Sequence, residues 1–194
     1  MSPSCFVLLL LLPLISAQTV RWGRCPSPPV QPDFKLQEYM GKWYEIEKIP
    51  AYFSYGKCIE ANYLLRNDGT VLVRNSQVVN GTRMEVEGTA KLMDPREPAK
   101  LGVSFSRFIP YRPYWVLTTD YTNFTVVYSC TEMFGVGHIH FAWILSRSPS
   151  LPDETVQRCK EMLMREGIHV AAMKPTKQDC APEEDHDGSG EKEN

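Results

Sequence analysis

The strongest constraint on this chain is a succession of short runs in which apolar and polar residues alternate, each closed by a turn signal. Ile59, Ala61 and Tyr63 share one strand face, and Asn67-Asp68-Gly69 turns the chain. Val71, Val73 and Asn75 then share a face, with Leu72, Arg74 and Ser76 opposite. Asn80-Gly81 accepts the positive φ of a type I′ hairpin. Met84, Val86, Gly88 and Ala90 alternate with Glu85, Glu87 and Thr89, and Leu101, Val103 and Phe105 alternate with Gly102, Ser104 and Ser106. Further strands are expected at Tyr114 to Thr119, Asn123 to Thr131 and His138 to Ser146, and the first opens at Gly41. A period of two with one apolar face marks half-buried antiparallel strands. Eight of them in succession predict an all-β, up-and-down antiparallel barrel rather than a sandwich with long crossovers, wide enough to hold one small ligand. One α-helix is expected from Pro152 to Glu166, where Val156, Cys159 and Leu163 recur at helical spacing and lay it on the outer barrel wall.

Phe6 to Ile15 is an uncharged apolar run followed by Ser16-Ala17, the pattern of a secretory leader cleaved near Ala17. The run is shorter than the roughly 20 apolar residues of a spanning helix, and no later stretch reaches that length. Residues 1–17 therefore read as a signal peptide, 18–180 as one folded domain and 181–194 as an acidic tail, and the mature chain is expected to be secreted and extracellular. The net charge of −2 is uneven. Glu183, Glu184, Asp185, Asp187, Glu191 and Glu193 stand against Lys192 alone, and a Gly/Ser-containing acidic end of this kind buries too little apolar surface to order itself. Lys and Arg are scattered elsewhere without a basic stripe, which excludes a nucleic-acid surface.

With Cys5 removed in the leader, Cys25, Cys58, Cys130, Cys159 and Cys180 remain. Secretion favours disulfides, but four cysteines allow three pairings that sequence does not resolve. Cys159, on the expected helix, reads as a buried, inert thiol. Asn80-Gly81-Thr82 and Asn123-Phe124-Thr125 fall at turns and are expected to carry N-glycans on Asn80 and Asn123. No Gly-x-Ser-x-Gly, His-Glu-x-x-His or Walker pattern is present, so no enzyme is expected. His138 and His140 offer two ligands on one strand face and read as surface histidines; no metal or cofactor is expected. Phe108-Ile109-Pro110-Tyr111, with Pro113-Tyr114 following, lies in a turn at the barrel mouth. It is either an exposed patch for a lipoprotein or membrane surface or a Pro-stiffened hairpin folded over the cavity.

Three patterns in fixed order, Gly41-Lys42-Trp43-Tyr44, then Thr119-Asp120-Tyr121, then Arg147 directly after Phe141 to Leu145, resemble the signature of the lipocalins. Cys25-Pro26-Ser27-Pro28-Pro29-Val30-Gln31, Glu45 to Pro50, Pro113 to Leu117 and Val127-Tyr128-Ser129-Cys130 extend the resemblance over nearly the whole chain after the leader. It implies an eight-stranded antiparallel barrel with a ligand cavity and a C-terminal helix packed outside. The closed end lies where Arg147 stacks on Trp43 and bonds nearby carbonyls. It also implies the disulfides Cys25–Cys130 and Cys58–Cys180, each closing a long loop at about 4–5 kcal/mol by a chain-entropy argument. Strand parity points Val73, Phe105 and Phe141 inward. The resemblance places Tyr63, Asn75 and Trp143 around a ligand, a phenol, an amide and an indole that orient its polar end. The small hydrophobic ligands implied are fatty acids such as arachidonic acid and steroids such as progesterone, carried in lipoprotein-associated transport. The alternatives are a signalling lipocalin that acts through its surface and, further off, a lipid-isomerising enzyme, for which no barrel cysteine is left as nucleophile.

Overall fold

In the computed structural model, residues 20–51 and 53–180 are described; the expected leader and acidic tail lie outside them. The alternating runs form β2 (Gly41–Lys48), β3 (Lys57–Leu65), β4 (Val71–Val79), β5 (Thr82–Leu92), β6 (Lys100–Ser104), β7 (Arg112–Thr119), β8 (Phe124–Met133) and β9 (Gly137–Ser146). Each pairs antiparallel with the next, and β9 returns to pair with β2, so the eight-stranded sheet closes on itself. Closure removes both free edges. The helix α2 (Asp153–Arg165) follows, one residue inside each expected boundary, with Asp153 and Glu154 in its first turn and Arg165 in its last, the charge order that its dipole favours.

Three short elements went unread in the sequence: β1 (Val20–Trp22), the single-turn α1 (Leu36–Tyr39) and β10 (Lys174–Pro175). None is long enough to show a period, and each exists through its docking: β1 on β9, β10 on β2 and α1 beneath Trp43.

Two apolar layers result from the alternation. Trp43, Tyr63, Val71, Val73, Leu101, Val116, Val127 and Leu145 pack inside the barrel. Val126, Tyr128, Ala142 and Ile144 face outward and are covered by Val156, Cys159 and Leu163 of α2. β8 and β9 are therefore apolar on both faces where the helix covers them, each buried side chain contributing roughly 1.5–3 kcal/mol. Cys159 is free and buried, and burial pushes its thiol up to about 11.

A register shift in β2 redirects its charges. Between Glu45 and Glu47 the pairing with β9 slips by one residue, so Glu45 and Lys48 lie opposite the inward-facing Leu145 and Trp143, while Glu47 lies opposite the outward-facing Ile144. Glu47 thus meets Lys160 of α2 at 2.6 Å, and Glu45 pairs with Lys48 at 2.6 Å in a buried contact. The Thr176 hydroxyl donates to Glu45 (2.6 Å), and the Gln178 amide donates to the carbonyls of Glu45 and Ile59 (2.9 and 2.8 Å), filling the splay between β2 and β3. The disulfide Cys58–Cys180 pins this segment, and Cys25–Cys130 ties the N-terminal arm to β8.

Candidate functional site

The barrel is sealed at one end by the three signature blocks. Trp43 is fully buried, and its indole N–H donates to the Tyr39 carbonyl at 2.9 Å. The Arg147 guanidinium carbon lies 3.8 Å from the indole centroid. Its nitrogens donate to the carbonyls of Tyr121 (2.9 Å), Lys42 (2.8 Å), Glu38 (3.1 Å) and Tyr39 (3.3 Å). Gly41, in van der Waals reach of Arg147 Nη1, has φ +92°, a conformation that favours glycine beneath the guanidinium. Thr119 donates to the Phe124 carbonyl and accepts the Tyr121 N–H. The Asp120 carboxylate accepts the backbone N–H groups of Thr122 (3.2 Å), Asn123 (2.8 Å) and Phe124 (2.9 Å) and the Asn123 amide (2.8 Å). Burial alone would raise the Asp120 carboxyl; these donors together hold it below the usual carboxylate range.

Above the floor the register traces the lining. Trp43 pairs with Ala61, Ala61 with Asn75 and Asn75 with Val86; Tyr63 pairs with Val73 and Val73 with Gly88. Cross-strand partners share a face, so all of these point inward. Gly88 has room only because it lacks a side chain: an added Cβ would fall 2.6 Å from the Phe105 ring, which lies over it one residue beyond β6. Trp143 stacks on Phe141 (centroids 5.8 Å apart), and Phe53 meets Phe141 edge-on at 5.6 Å. Val71 and Val73 are buried, whereas Val86 and Phe105 keep 48% and 42% of their surface exposed. Inward-facing apolar side chains that stay half exposed in a closed barrel border a space open to solvent.

The polar points in that space form two groups. The hydroxyls of Tyr39 and Tyr114 are 2.9 Å apart and those of Tyr63 and Tyr114 2.8 Å, a chain of three phenols. Burial pushes Tyr39 up to about 12 and holds Tyr63 and Tyr114 well above the ordinary phenol, so all three are neutral. Asn75 Oδ1 is buried and meets no hydrogen-bond donor among the described residues. An unmet buried acceptor costs about 1–3 kcal/mol unless something binds it. Tyr63 and Asn75 stand at the inward register positions expected of them, whereas Tyr39 and Tyr114 were not expected beside them. Tyr114 shares parity with Val116, a usable signal, whereas Tyr39 arrives on a turn of helix too short to have one.

At the opposite end, the β2–β3, β6–β7 and β8–β9 connections share the mouth, since alternate turns of an up-and-down barrel lie together. Phe108 is 94% exposed there, with Ile109, Phe53, Tyr55, Phe134 and Val136 also exposed. Phe108 therefore projects from the rim and does not fold over the cavity. Tyr111 is half-buried beneath Lys91, whose ammonium lies 4.2 Å from its ring. Asn80 occupies an exposed turn at this end with φ +50°; Asn123 is exposed at the floor.

The expectation of surface histidines is overturned. His138 and His140 are buried, at 4% and 1% exposure, because β1 crosses β9 and pairs Arg21 with His138. A second group of ligand-type side chains, Cys58, Asp179 and Cys180, is already committed: the sulfurs are joined in a disulfide and Asp179 pairs with Lys57 at 2.9 Å.

Comparison with known proteins agrees with this geometry. A lipocalin-like domain model matches residues 34–178. Apolipoprotein D of Mus musculus is 47% identical over 167 residues, covering 86% of this chain and 88% of that protein, and apolipoprotein D of Bos taurus is 46% identical over 183 residues, covering 90% and 97%. Among solved structures, insecticyanin from the tobacco hornworm Manduca sexta superposes with a TM-score of 0.71 at 28% identity, covering 82% of this chain and 88% of that one. A closed eight-stranded barrel, a floor built from Trp43 and Arg147, and these matches along most of its length place the chain in the lipocalin family.

Proposed function

We propose that the protein is a secreted carrier that holds one small hydrophobic molecule in the barrel and performs no covalent chemistry. The observation that carries this reading is the set of half-exposed, inward-facing apolar side chains above a sealed floor, with Asn75 Oδ1 left without a donor. Val73, Phe105 and Phe141 supply apolar contact, and Tyr63, Asn75 and Trp143 orient the polar end of the ligand. The similarity to apolipoprotein D supports fatty acids such as arachidonic acid and steroids such as progesterone as the ligand classes. The disulfides support an extracellular setting, in which Asn80 and Asn123 carry glycans. Among the described residues they also leave no thiol in the barrel for lipid isomerisation, since Cys159 lies under the external helix. The exposed Phe108 and Ile109, beside the half-buried Tyr111, dock the mouth on a lipoprotein or membrane surface, where ligand transfers without crossing water.

The test is quenching of intrinsic tryptophan fluorescence on titrating the delipidated protein with arachidonic acid and progesterone, in wild type and Trp143→Phe. Saturable one-to-one quenching that is lost in Trp143→Phe is expected. No saturable response to either ligand would overturn the carrier reading in favour of a protein that acts through its surface.

A further inference from the structure

The chain has four histidines, and two of them, His138 and His140, are buried on β9 with the outward parity of Ala142 and Ile144, away from the ligand space. His138 and His140 are separated by one residue on β9 and so share a face, their ring centroids 5.5 Å apart. His138 Nδ1 lies 3.0 Å from the Gly23 carbonyl, an acceptor only, so Nδ1 carries the proton and Nε2 presents a bare lone pair. Among the described residues that Nε2 is buried without a partner, as are both ring nitrogens of His140, the Tyr128 hydroxyl and Arg21 Nε. The Tyr128 ring meets His140 edge-on at 6.2 Å. So many unmet polar atoms in one buried place call for an occupant. The electrostatic neighbours of His140 include His138, Arg21 and His169. His169 is exposed on the segment that follows α2, which Ile168 anchors in the outer core.

We propose that His138, His140 and His169 bind a divalent transition-metal ion of the zinc or copper class on the outer barrel wall. Two imidazoles on one strand face form the fixed half of the site, and the Gly23 carbonyl orients His138 as carbonyls and carboxylates orient metal-ligating histidines generally. Neutral imidazole nitrogen is the donor that these ions prefer over calcium or magnesium. His169 swings in from solvent as the third ligand, with the Tyr128 hydroxyl as the polar neighbour of the remaining position. Arg21 is the repulsive element and turns outward on the three-residue β1 as the ion enters. The bound ion clamps β1 and the segment after α2 onto β9.

The test uses the full secreted chain, stripped with chelator and titrated with Zn2+ and Cu2+ by calorimetry and with Co2+ by its visible absorption. One saturable equivalent is expected, with imidazole-type Co2+ bands. Binding should be lost in His138→Gln and His140→Gln, weakened at least about tenfold in His169→Ala and tightened in Arg21→Ala. His169 is exposed, so its substitution leaves the fold intact and keeps the test valid even if a buried histidine variant fails to fold. His186, between Asp185 and Asp187, is the competing ligand, and His186→Ala should bind as wild type does. Absence of saturable binding, binding unchanged in His169→Ala, or binding lost in His186→Ala would each overturn the site.

Discussion

Arg147 meets four carbonyls and an indole face at once, so its planar fork, and not its charge alone, seals the floor. Asp120 does the corresponding work for the β7–β8 turn, gathering three backbone N–H groups and an amide on one carboxylate. Its pKa in the folded chain lies below the unfolded value. Its contribution is therefore complete above the usual carboxylate range and fades as pH falls through the folded value. Asp120→Asn should cost about 1 kcal/mol at neutral pH, allowing for solvent screening at a largely exposed group. In denaturant titrations the gap from wild type should close in acid; a gap that stays constant with pH would show that the charge is not the cause. The signature residues were legible in the sequence because their types are tied to their geometry: glycine at positive φ, indole under guanidinium. The Tyr39–Tyr114–Tyr63 chain and the buried histidines were not, because strand parity says which face a side chain takes and not what covers it.

At the scale of elements, β5 and β6 show how a missing side chain shapes the lumen. Gly88 lies beneath the Phe105 ring, and an added Cβ would also come within 2.8 Å of the Ser104 carbonyl on β6. Because that backbone oxygen cannot yield freely, Gly88→Ala should destabilise the barrel by about 1–3 kcal/mol and displace Phe105. A lower thermal midpoint together with weaker lipid binding is the expected result, and unchanged binding would remove Phe105 from the lining. Strand identity and face were readable here from period-two alternation. The bulge in β2 was not: Glu45 and Glu47 look equivalent in sequence, yet one meets Lys48 in the interior and the other Lys160 on the helix. The choice depends on pairing with β9, about a hundred residues away, and no local pattern encodes it.

For the molecule as a whole, long-range closures hold the barrel and its accessories together. The disulfides span 105 and 122 residues, and Cys58–Cys180 fixes the segment that carries Thr176 and Gln178 into the splay between β2 and β3. Replacing Cys58 and Cys180 together by Ser should cost up to about 4–5 kcal/mol. Amide hydrogen exchange should show the loss of protection concentrated in residues 174–178 and in β2; uniform loss over the barrel would assign the bridge to the unfolded chain alone. The sequence by itself determined the eight strands, the inward faces of β3 to β6, the helix and the signature that closes the floor, since each follows from local periodicity or from a residue type that only one geometry accommodates. Tertiary structure alone decided the β2 register, the docking of β1, α1 and β10, the phenol chain and the burial of His138 and His140. Those features arise where segments far apart in the chain meet, and their stabilisation exists only once the barrel has closed.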